Sequence, residues 1–217
     1  MRLAGVTARF LMFSIALPLF AAAAAASPRT TGAAFLQQSV SARAAAMGDA
    51  NTAWADDVYG MWFNPAGIAV AERKQIGFQY NSYMLDMSHN YLGYLHPFRQ
   101  GAVGVTIQYV DLGTVERTTV QNGAAVRNGN ASANDLAFSA TYARTVGRSL
   151  DLGVTAKLIN EHLDNYSAGA FAVDLGAKWR PPVDGLTLGA AVQNLGSSLK
   201  FVREHEQLPL SLRLGAG

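Results

Sequence analysis

The 217-residue chain contains no cysteine. It therefore has no disulfide scaffold, no cysteine-ligated zinc site and no thiol nucleophile. Charged side chains are also scarce, since they make up 15% of the residues against about 25% in ordinary soluble domains. Half of the residues are hydrophobic, which is the opposite of the composition that keeps chains disordered. We expect a folded protein with unusually little charge.

An excess of positive charge is missing as well. The chain has 17 Lys and Arg residues against 15 Asp and Glu residues. Two of the basic residues, Arg2 and Arg9, lie in a first segment that contains no acid, so the remainder carries no net charge. Because proteins that bind nucleic acids present a basic face, we expect no nucleic-acid partner.

Residues 1–26 have the three parts of a secretory signal peptide. Arg2 and Arg9 supply positive charge, Phe10–Phe20 is apolar, and Ala21–Ala26 offers small residues for cleavage. After this segment, no apolar run approaches the roughly 18 residues that a membrane helix needs. We expect an exported protein in which strands make any passage through a membrane.

The sequence changes in character near residue 72. Residues 27–72 are rich in alanine and show no alternation, and Ser39–Met47 within them is typical of a short helix. From residue 73, strand-like runs alternate with turns rich in Gly, Asn and Asp. We therefore predict a plug segment with short helices at residues 27–72 and β-strands at residues 73–217.

Alternation of apolar and small or polar residues is the strongest signal in the second part. In Leu150–His162, for example, Leu152 and Val154 share one face, and Gly153 and Thr155 share the other. Short turns join several neighbouring runs, which favours a meander of eight or nine antiparallel strands. The clearly alternating runs are Gly101–Leu112, Asp135–Val146, Leu150–His162, Gly169–Arg180, Gly185–Leu195 and Leu208–Leu214. Two earlier runs, Gln75–Leu85 and His89–Phe98, are predicted strands of less clear phase.

Two all-β architectures produce such alternation, the soluble β-sandwich and the membrane β-barrel. The runs are about 10–12 residues long, which suffices to cross a bilayer, whereas ordinary strands average about 5–6 residues. The less apolar face carries mostly Gly, Ala, Ser and Thr, which suits a crowded barrel interior better than a solvated surface. We predict an antiparallel transmembrane β-barrel, closed because lipid leaves no strand edge unpaired. The β-sandwich is the alternative.

Several aromatic residues fall near the ends of the predicted strands. Such residues form girdles at the two membrane interfaces of β-barrels. Packing in a core is an equally good interpretation of their position. The residues concerned are Phe98, Tyr109, Tyr142, Trp179 and Phe201. The polar stretch Gly113–Asn134 is interpreted as an extracellular excursion, in part an extension of a hairpin.

The strongest local motif is the run Asn64, Pro65, Ala66 and Gly67. Proline fixes its own φ and keeps the preceding residue out of the helical region. Asn can bond its own backbone, and Gly opens a turn. The motif predicts a structural turn between the plug segment and the first strand. A gating role inside a barrel is the functional alternative.

Two groups of charged residues are candidates for a functional site. Asp56 and Asp57 are adjacent, so their side chains point in different directions, and a turn, a cap or an ion pair with Arg43 is the expected role. The second group lies on the less apolar face and comprises Lys157, Asp174, Lys178 and Arg213. Because lone buried charges are costly, we expect salt bridges in the lumen, with a polar path for a solute as the alternative.

Motifs for catalysis and metal binding are missing. His89, His96, His162 and His205 do not have the helical spacing of zinc ligands. The sequence contains neither a Gly-x-Ser-x-Gly elbow nor a phosphate-binding Gly-x-x-x-x-Gly-Lys-Ser/Thr loop. We therefore expect no enzymatic activity, no catalytic residue, no metal and no cofactor. A barrel enzyme is the weakest of the alternatives.

The succession of short motifs resembles the PorV/PorQ family within the FadL-like group of outer-membrane β-barrels. The resemblance covers nearly all of residues 30–217 and is specific as a set rather than motif by motif. The N-terminal matches are Thr31–Leu36, Ser41–Ala50, Ala55–Asp57 and Trp62–Ile68, and the later ones are Asp174–Ala177, Asn194–Gly196, Leu208–Leu210 and Leu212–Gly215.

The resemblance implies a barrel whose lumen is plugged by the N-terminal segment. It also implies more strands than the eight or nine counted here, so we expect the chain to be an N-terminal portion that is incomplete at its C-terminus. It implies a location in the outer membrane of a Gram-negative-type envelope, in contact with its lipid.

The implied function is a non-enzymatic component of protein export of the type IX secretion kind, with secreted cargo proteins as partners. A FadL-like diffusion channel for hydrophobic small molecules is the alternative.

Overall fold

The computed structural model describes residues 32–121, 124–201 and 204–217. The predicted signal peptide and the first residues of the plug segment lie outside these ranges. The described part of the plug segment contains four short helices joined by turns. They are the 3₁₀ helix Ala34–Gln37, α1 (Ala42–Ala46), α2 (Gly60–Phe63) and the 3₁₀ helix Pro65–Val70. Among the described residues, no helix combines the length and the hydropathy needed to cross a membrane.

Within the described ranges the chain forms ten strands, and the antiparallel all-β class predicted from the sequence is confirmed. Eight of the strands form one sheet in the order β1-β2-β3-β4-β5-β6-β7-β10, and β8 and β9 form a separate hairpin. The strands are β1 (Gln75–Ser82), β2 (Ser88–Phe98), β3 (Gly101–Gln121), β4 (Ala124–Val146), β5 (Leu150–Leu163), β6 (Tyr166–Trp179), β7 (Leu188–Gly196), β8 (Leu199–Phe201), β9 (Glu204–Glu206) and β10 (Ser211–Ala216).

Each of the eight predicted runs corresponds to one strand of the main sheet. The largest difference is in the β3–β4 hairpin, where pairing continues past a bulge to Gln121 and Ala124. Most of the predicted excursion is therefore regular hairpin rather than loop. The β8–β9 hairpin was not predicted, because two strands of three residues are too short to show alternation.

The two faces of the sheet have the reverse of the polarity found in water-soluble proteins. Val154 on β5 points outward and is 39% exposed, whereas its neighbour Thr155 is 2% exposed. The same order holds on β3, where Val105 and Ile107 are exposed and Thr106 is buried. Apolar side chains outside and polar ones inside are typical of a sheet whose outer surface lies in lipid, and not of a soluble β-sandwich.

Four of the predicted girdle aromatics also lie on the outer face. Phe98, Tyr109, Tyr142 and Trp179 are each between 38% and 45% exposed. Phe98 stacks on Tyr142 with ring centroids 6.1 Å apart. These rings are not part of a core. The side chain of Phe201 lies outside the described part of the structure.

The plug segment packs against the inner face of the sheet. Near one end, Phe35 and Leu36 meet Val110 and Ile159. Near the other end, Met61 and Ile68 contact Leu95 of β2 and alanines of β3 and β4. The polar inner face is thus covered by protein along much of its length.

Two features differ from the predicted barrel. Strands β1 and β10 remain edges of the main sheet, so the predicted closure is not present among the described residues. Alternation in the run Leu208–Leu214 predicts that Leu208 faces outward with Leu210. Leu208 is instead 6% exposed and packs inside with Phe35, Leu36, Val110 and Ile159, which we call the Phe35 cluster. The alternation fails there because the last strand begins only at Ser211.

Because the apolar side chains face outward, the cost of introducing a charge on the outer face should depend on its position along the strand. We expect Val154→Arg and Leu212→Arg to reduce assembly into outer membranes strongly, since a lipid-facing Arg at the midplane costs roughly 2–4 kcal/mol. Asn160→Arg is the matched control, because Asn160 lies on the same face of β5 beyond its last apolar residue. The measurement is the membrane-inserted fraction of the full chain. Equal assembly of Val154→Arg and Asn160→Arg would contradict the assigned orientation.

Candidate functional site

The Asn64 side chain attaches the plug segment to the sheet. Asn64 has an extended backbone before Pro65, as the sequence predicts, and its Oδ1 accepts a hydrogen bond from the Ala66 N–H at 3.1 Å. Its Nδ2 donates to the carbonyl oxygens of Thr52, at 3.0 Å, and Ala177, at 3.1 Å. The fully buried amide therefore caps the following 3₁₀ helix and joins two plug turns to β6.

The strands meet this turn with two paired glycines. Gly153 of β5 lies opposite Gly176 of β6. A Cβ atom at Gly176 would overlap the Asn64 side-chain oxygen, and one at Gly153 would overlap the backbone of Pro65. The bare backbone at this pair is what lets the Asn64–Pro65 turn approach the sheet.

Gly67 has a different role from the one predicted. Its backbone does not adopt a positive φ, so the turn does not need glycine for that reason. A Cβ atom there would overlap the carbonyl group of Ala55. Gly67 thus permits close packing between two parts of the plug segment rather than opening the turn.

The acids next to the motif divide into two environments. The Asp57 carboxylate accepts a hydrogen bond from the Gly60 N–H at 2.8 Å, at the start of α2. Its other oxygen lies 3.9 Å from Nη1 of Arg43, whose side chain is mostly exposed. Asp56 is exposed and points elsewhere. The cap and the ion pair expected for this group are thus both present at Asp57.

Two of the four predicted lumen charges form a buried pair. The Lys157 Nζ lies 2.7 Å from Oδ2 of Asp174, and both side chains are almost completely buried. Lys157 also donates to Oδ1 of Asn194 at 2.8 Å, and the Asn194 N–H donates to Asp174 at 2.8 Å. The network links β5, β6 and β7, and each charge has a partner that offsets its loss of hydration.

A β-bulge on β7 makes this network possible. Gln193 and Asn194 both lie opposite Asp174, and Asn194 has a positive φ of 61°. Asn tolerates this conformation better than most residues. Because of the extra residue, both side chains turn inward, and Gln193 donates to the carbonyl oxygen of Trp62. The alternation pattern did not indicate the bulge.

The other two predicted lumen charges bind the plug segment rather than an acid. The Lys178 Nζ donates to the carbonyl oxygen of Ala55 at 3.3 Å. The Arg213 guanidinium lies 4.4 Å from the centroid of the Trp62 ring, and its Nε donates to Gln193 at 2.7 Å. Lys157 and Asp174 therefore form the kind of salt bridge that the sequence predicts, whereas Lys178 and Arg213 have other partners.

One buried ion pair was not predicted from the sequence. Asp151 at the start of β5 accepts two hydrogen bonds from the Arg180 guanidinium, at 2.6 and 3.0 Å, and one from Thr145 at 2.7 Å. The alternation of β5 predicts that Asp151 lies on the inner face. Arg180 lies after the end of β6, so alternation does not indicate where its side chain points. Within the described ranges, no group of three or more His, Cys, Asp or Glu residues is arranged to hold a metal ion.

The comparison with protein families agrees with this arrangement. The family described as type IX secretion system protein PorV matches residues 22–217, which include every helix and strand described above. No curated protein matches the chain.

The glycine pair predicts a steric test of plug docking. We expect Gly176→Ala to lower stability by about 1–3 kcal/mol, because the added methyl group has to displace the Asn64 turn. Gly169→Ala on the same strand is the control, since its Cβ would meet only one atom, at an ordinary distance of 3.7 Å. Thermal unfolding in detergent and protease cleavage within residues 50–70 are the measurements. Equal behaviour of the two variants would exclude this docking.

The buried pair predicts strong coupling between its members. Lys157→Met leaves the Asp174 carboxylate without its cation and should destabilise the protein by about 3–5 kcal/mol. Adding Asp174→Asn should restore much of this loss, whereas Arg43→Met, at the exposed pair, should cost about 0–1 kcal/mol. Unfolding free energies of these three variants and of Asp174→Asn alone test the prediction. Additive effects of the two lumen substitutions would show that the residues are not coupled.

Proposed function

Because the chain belongs to the PorV family of type IX secretion system proteins, we propose that it is a non-enzymatic component of protein export that holds secreted proteins at the outer surface. It is a type IX secretion-associated outer-membrane protein. The observation that carries the proposal is the extent of the family match, which covers the plug segment as well as the strands.

The packing of the plug segment supports a holding role over conduction. Asn64, Pro65 and Phe63 are completely buried against the sheet. Next to them, Lys178 binds the plug segment, and Lys157 and Asp174 bind one another. A solute that followed the inner face of the sheet would have to displace these contacts. The channel for hydrophobic solutes, the alternative from the sequence, has no comparable support from the described residues.

The long β3–β4 hairpin is the part of the molecule that best suits contact with an exported protein. β2 pairs with β3 only as far as Asp111, and β5 pairs with β4 only as far as Ala133. Beyond these points, the hairpin has no third strand on either side among the described residues. Its outer backbone groups are open to a partner strand, and edges of this kind bind extended segments.

Removal of the hairpin tip tests the proposal. The full chain and a variant with residues 114–132 replaced by a two-residue turn are purified from outer membranes, and the retained proteins are identified by mass spectrometry. We expect secreted proteins that share a C-terminal sorting domain to accompany the full chain and to be lost from the variant. Asn128→Ser at an exposed position of the same hairpin controls for handling of the membrane fraction.

Retention of lipid or small apolar molecules alone by the full chain would contradict the export proposal and favour the channel. Equal retention of secreted proteins by the full chain and the shortened variant would place the contact outside the hairpin.

A further inference from the structure

A cavity of about 370 Å³ opens at the end of the sheet where the β3–β4 hairpin begins. Three carboxylates line it, those of Asp135 on β4, Glu161 on β5 and Glu206 on β9. Leu112 and Leu163 contribute apolar wall. The cavity is not part of the network around Asn64 or Lys157.

The cavity lies beyond the apolar band of the outer face. On β5 the outward residues change from Leu158 to Asn160, and on β4 they change from Leu136 to Asn134. The two longest excursions are at this end of the sheet, namely the extended β3–β4 hairpin and the β7–β10 connection that contains β8 and β9. The β2–β3 and β4–β5 connections at the opposite end are short turns. In outer-membrane barrels, the longer connections are extracellular, so the cavity faces the cell exterior.

The environment of the Asp135 carboxylate indicates a ligand. Its side chain lines the cavity and is only 9% exposed. Among the described residues, none donates a hydrogen bond to its carboxylate, and neither Lys nor Arg lines the cavity. A buried carboxylate without a partner is costly, and the described residues around the cavity supply no positive charge that would offset this cost.

The Glu161 carboxylate also lacks a positive charge beside it in the described part of the chain, although it has one hydrogen-bond partner. One of its oxygens accepts a hydrogen bond from the Ala33 N–H at 2.6 Å. Burial, together with the negative charges of Asp135 and Glu206, raises the pKa of Glu161 to about 7, against the lowering effect of that hydrogen bond. A cation in the cavity would reverse this effect by stabilising the ionised form.

The chemistry of the walls distinguishes an organic cation from a metal ion. Within the described ranges, these carboxylates do not converge as a group able to hold a metal ion. The two leucines offer apolar surface beside the carboxylates, which suits an alkyl chain that ends in a positive group.

From this juxtaposition we infer that the cavity binds an alkylammonium or alkylguanidinium group, with Asp135 and Glu161 at its charged end and Leu112 and Leu163 along its stem. The source is a free amine or a Lys or Arg side chain of an exported protein. Only the second source depends on the proposed function.

Direct titration tests the site without any secreted protein. The purified full chain is titrated with n-pentylguanidinium, with the neutral 1-pentanol and with Ca²⁺ alone. We expect saturable binding of the guanidinium only, weakened at least about tenfold by Asp135→Asn and by Glu161→Gln, because each removes a charge-assisted contact. Glu116→Gln is the matched control, since it neutralises an exposed carboxylate that pairs with Arg127 in the hairpin. Equal binding of pentanol, or tighter binding of Ca²⁺, would overturn the assignment.

The pH profile of the unaltered chain gives a second test that needs no variant. The titratable groups that line the cavity are Asp135, Glu161, Glu206, His162 and Tyr166. Burial raises the pKa of Asp135 to about 6, and the pKa of Glu161 is raised to about 7. Because the guanidinium binds the ionised carboxylates, its affinity should rise between about pH 5 and about pH 8 as these two groups lose their protons. An affinity that is constant over this range would count against the site.

The retained proteins of Glu161→Gln then distinguish the two sources. Loss of secreted proteins together with loss of guanidinium binding assigns the cavity to a basic side chain of the cargo. Loss of guanidinium binding with unchanged retention assigns it to a free amine. If the unaltered chain retains no secreted protein but still binds guanidinium, the proposed function fails and the cavity assignment stands.

Discussion

The contact between the Asn64–Pro65 turn and the glycine pair Gly153 and Gly176 is the constraint on which the rest of the structure depends. It requires a sheet without side chains at that point, and the two glycines provide this, since a Cβ at either position would overlap the turn. The Asn64 amide then bonds the plug segment to the β6 backbone, so that the plug and the sheet determine each other's position.

The reversed polarity of the sheet explains why its inner face needs hydrogen-bond partners from the plug segment. Because apolar side chains face outward, the polar side chains are buried on the inner face. Each of them needs a hydrogen-bond partner there to replace the water that it loses. Lys178 and Gln193 find carbonyl oxygens of the plug segment, at Ala55 and Trp62. The irregular backbone of the plug therefore serves as the hydrogen-bonding surface that water provides for an ordinary sheet. Lys157 and Asp174 satisfy the same requirement by pairing with each other.

Because the inner face is covered, the two sites that we propose for partners lie at one end of the sheet. The long β3–β4 hairpin and the acidic cavity lie at the same end of the sheet, beyond its apolar band. The hairpin offers unpaired backbone edges, and the cavity offers carboxylates without a cation among the described residues. Together they suit a polypeptide that carries extended segments and basic side chains, as expected of a protein that assists export.

Local patterns in the sequence determined the strands, their outward faces and the turn at Asn64, because alternation and proline act over a few neighbouring residues. The register of β3 with β4 beyond Asp111 and the bulge at Asn194 were decided by pairing between strands. The partners of Lys178 and Arg213 were decided by the plug, since Ala55 lies 123 positions from Lys178. The same is true of Leu208, which alternation placed outside and the Phe35 cluster holds inside. Contacts between distant segments depend on how the chain packs as a whole, and no local pattern records them.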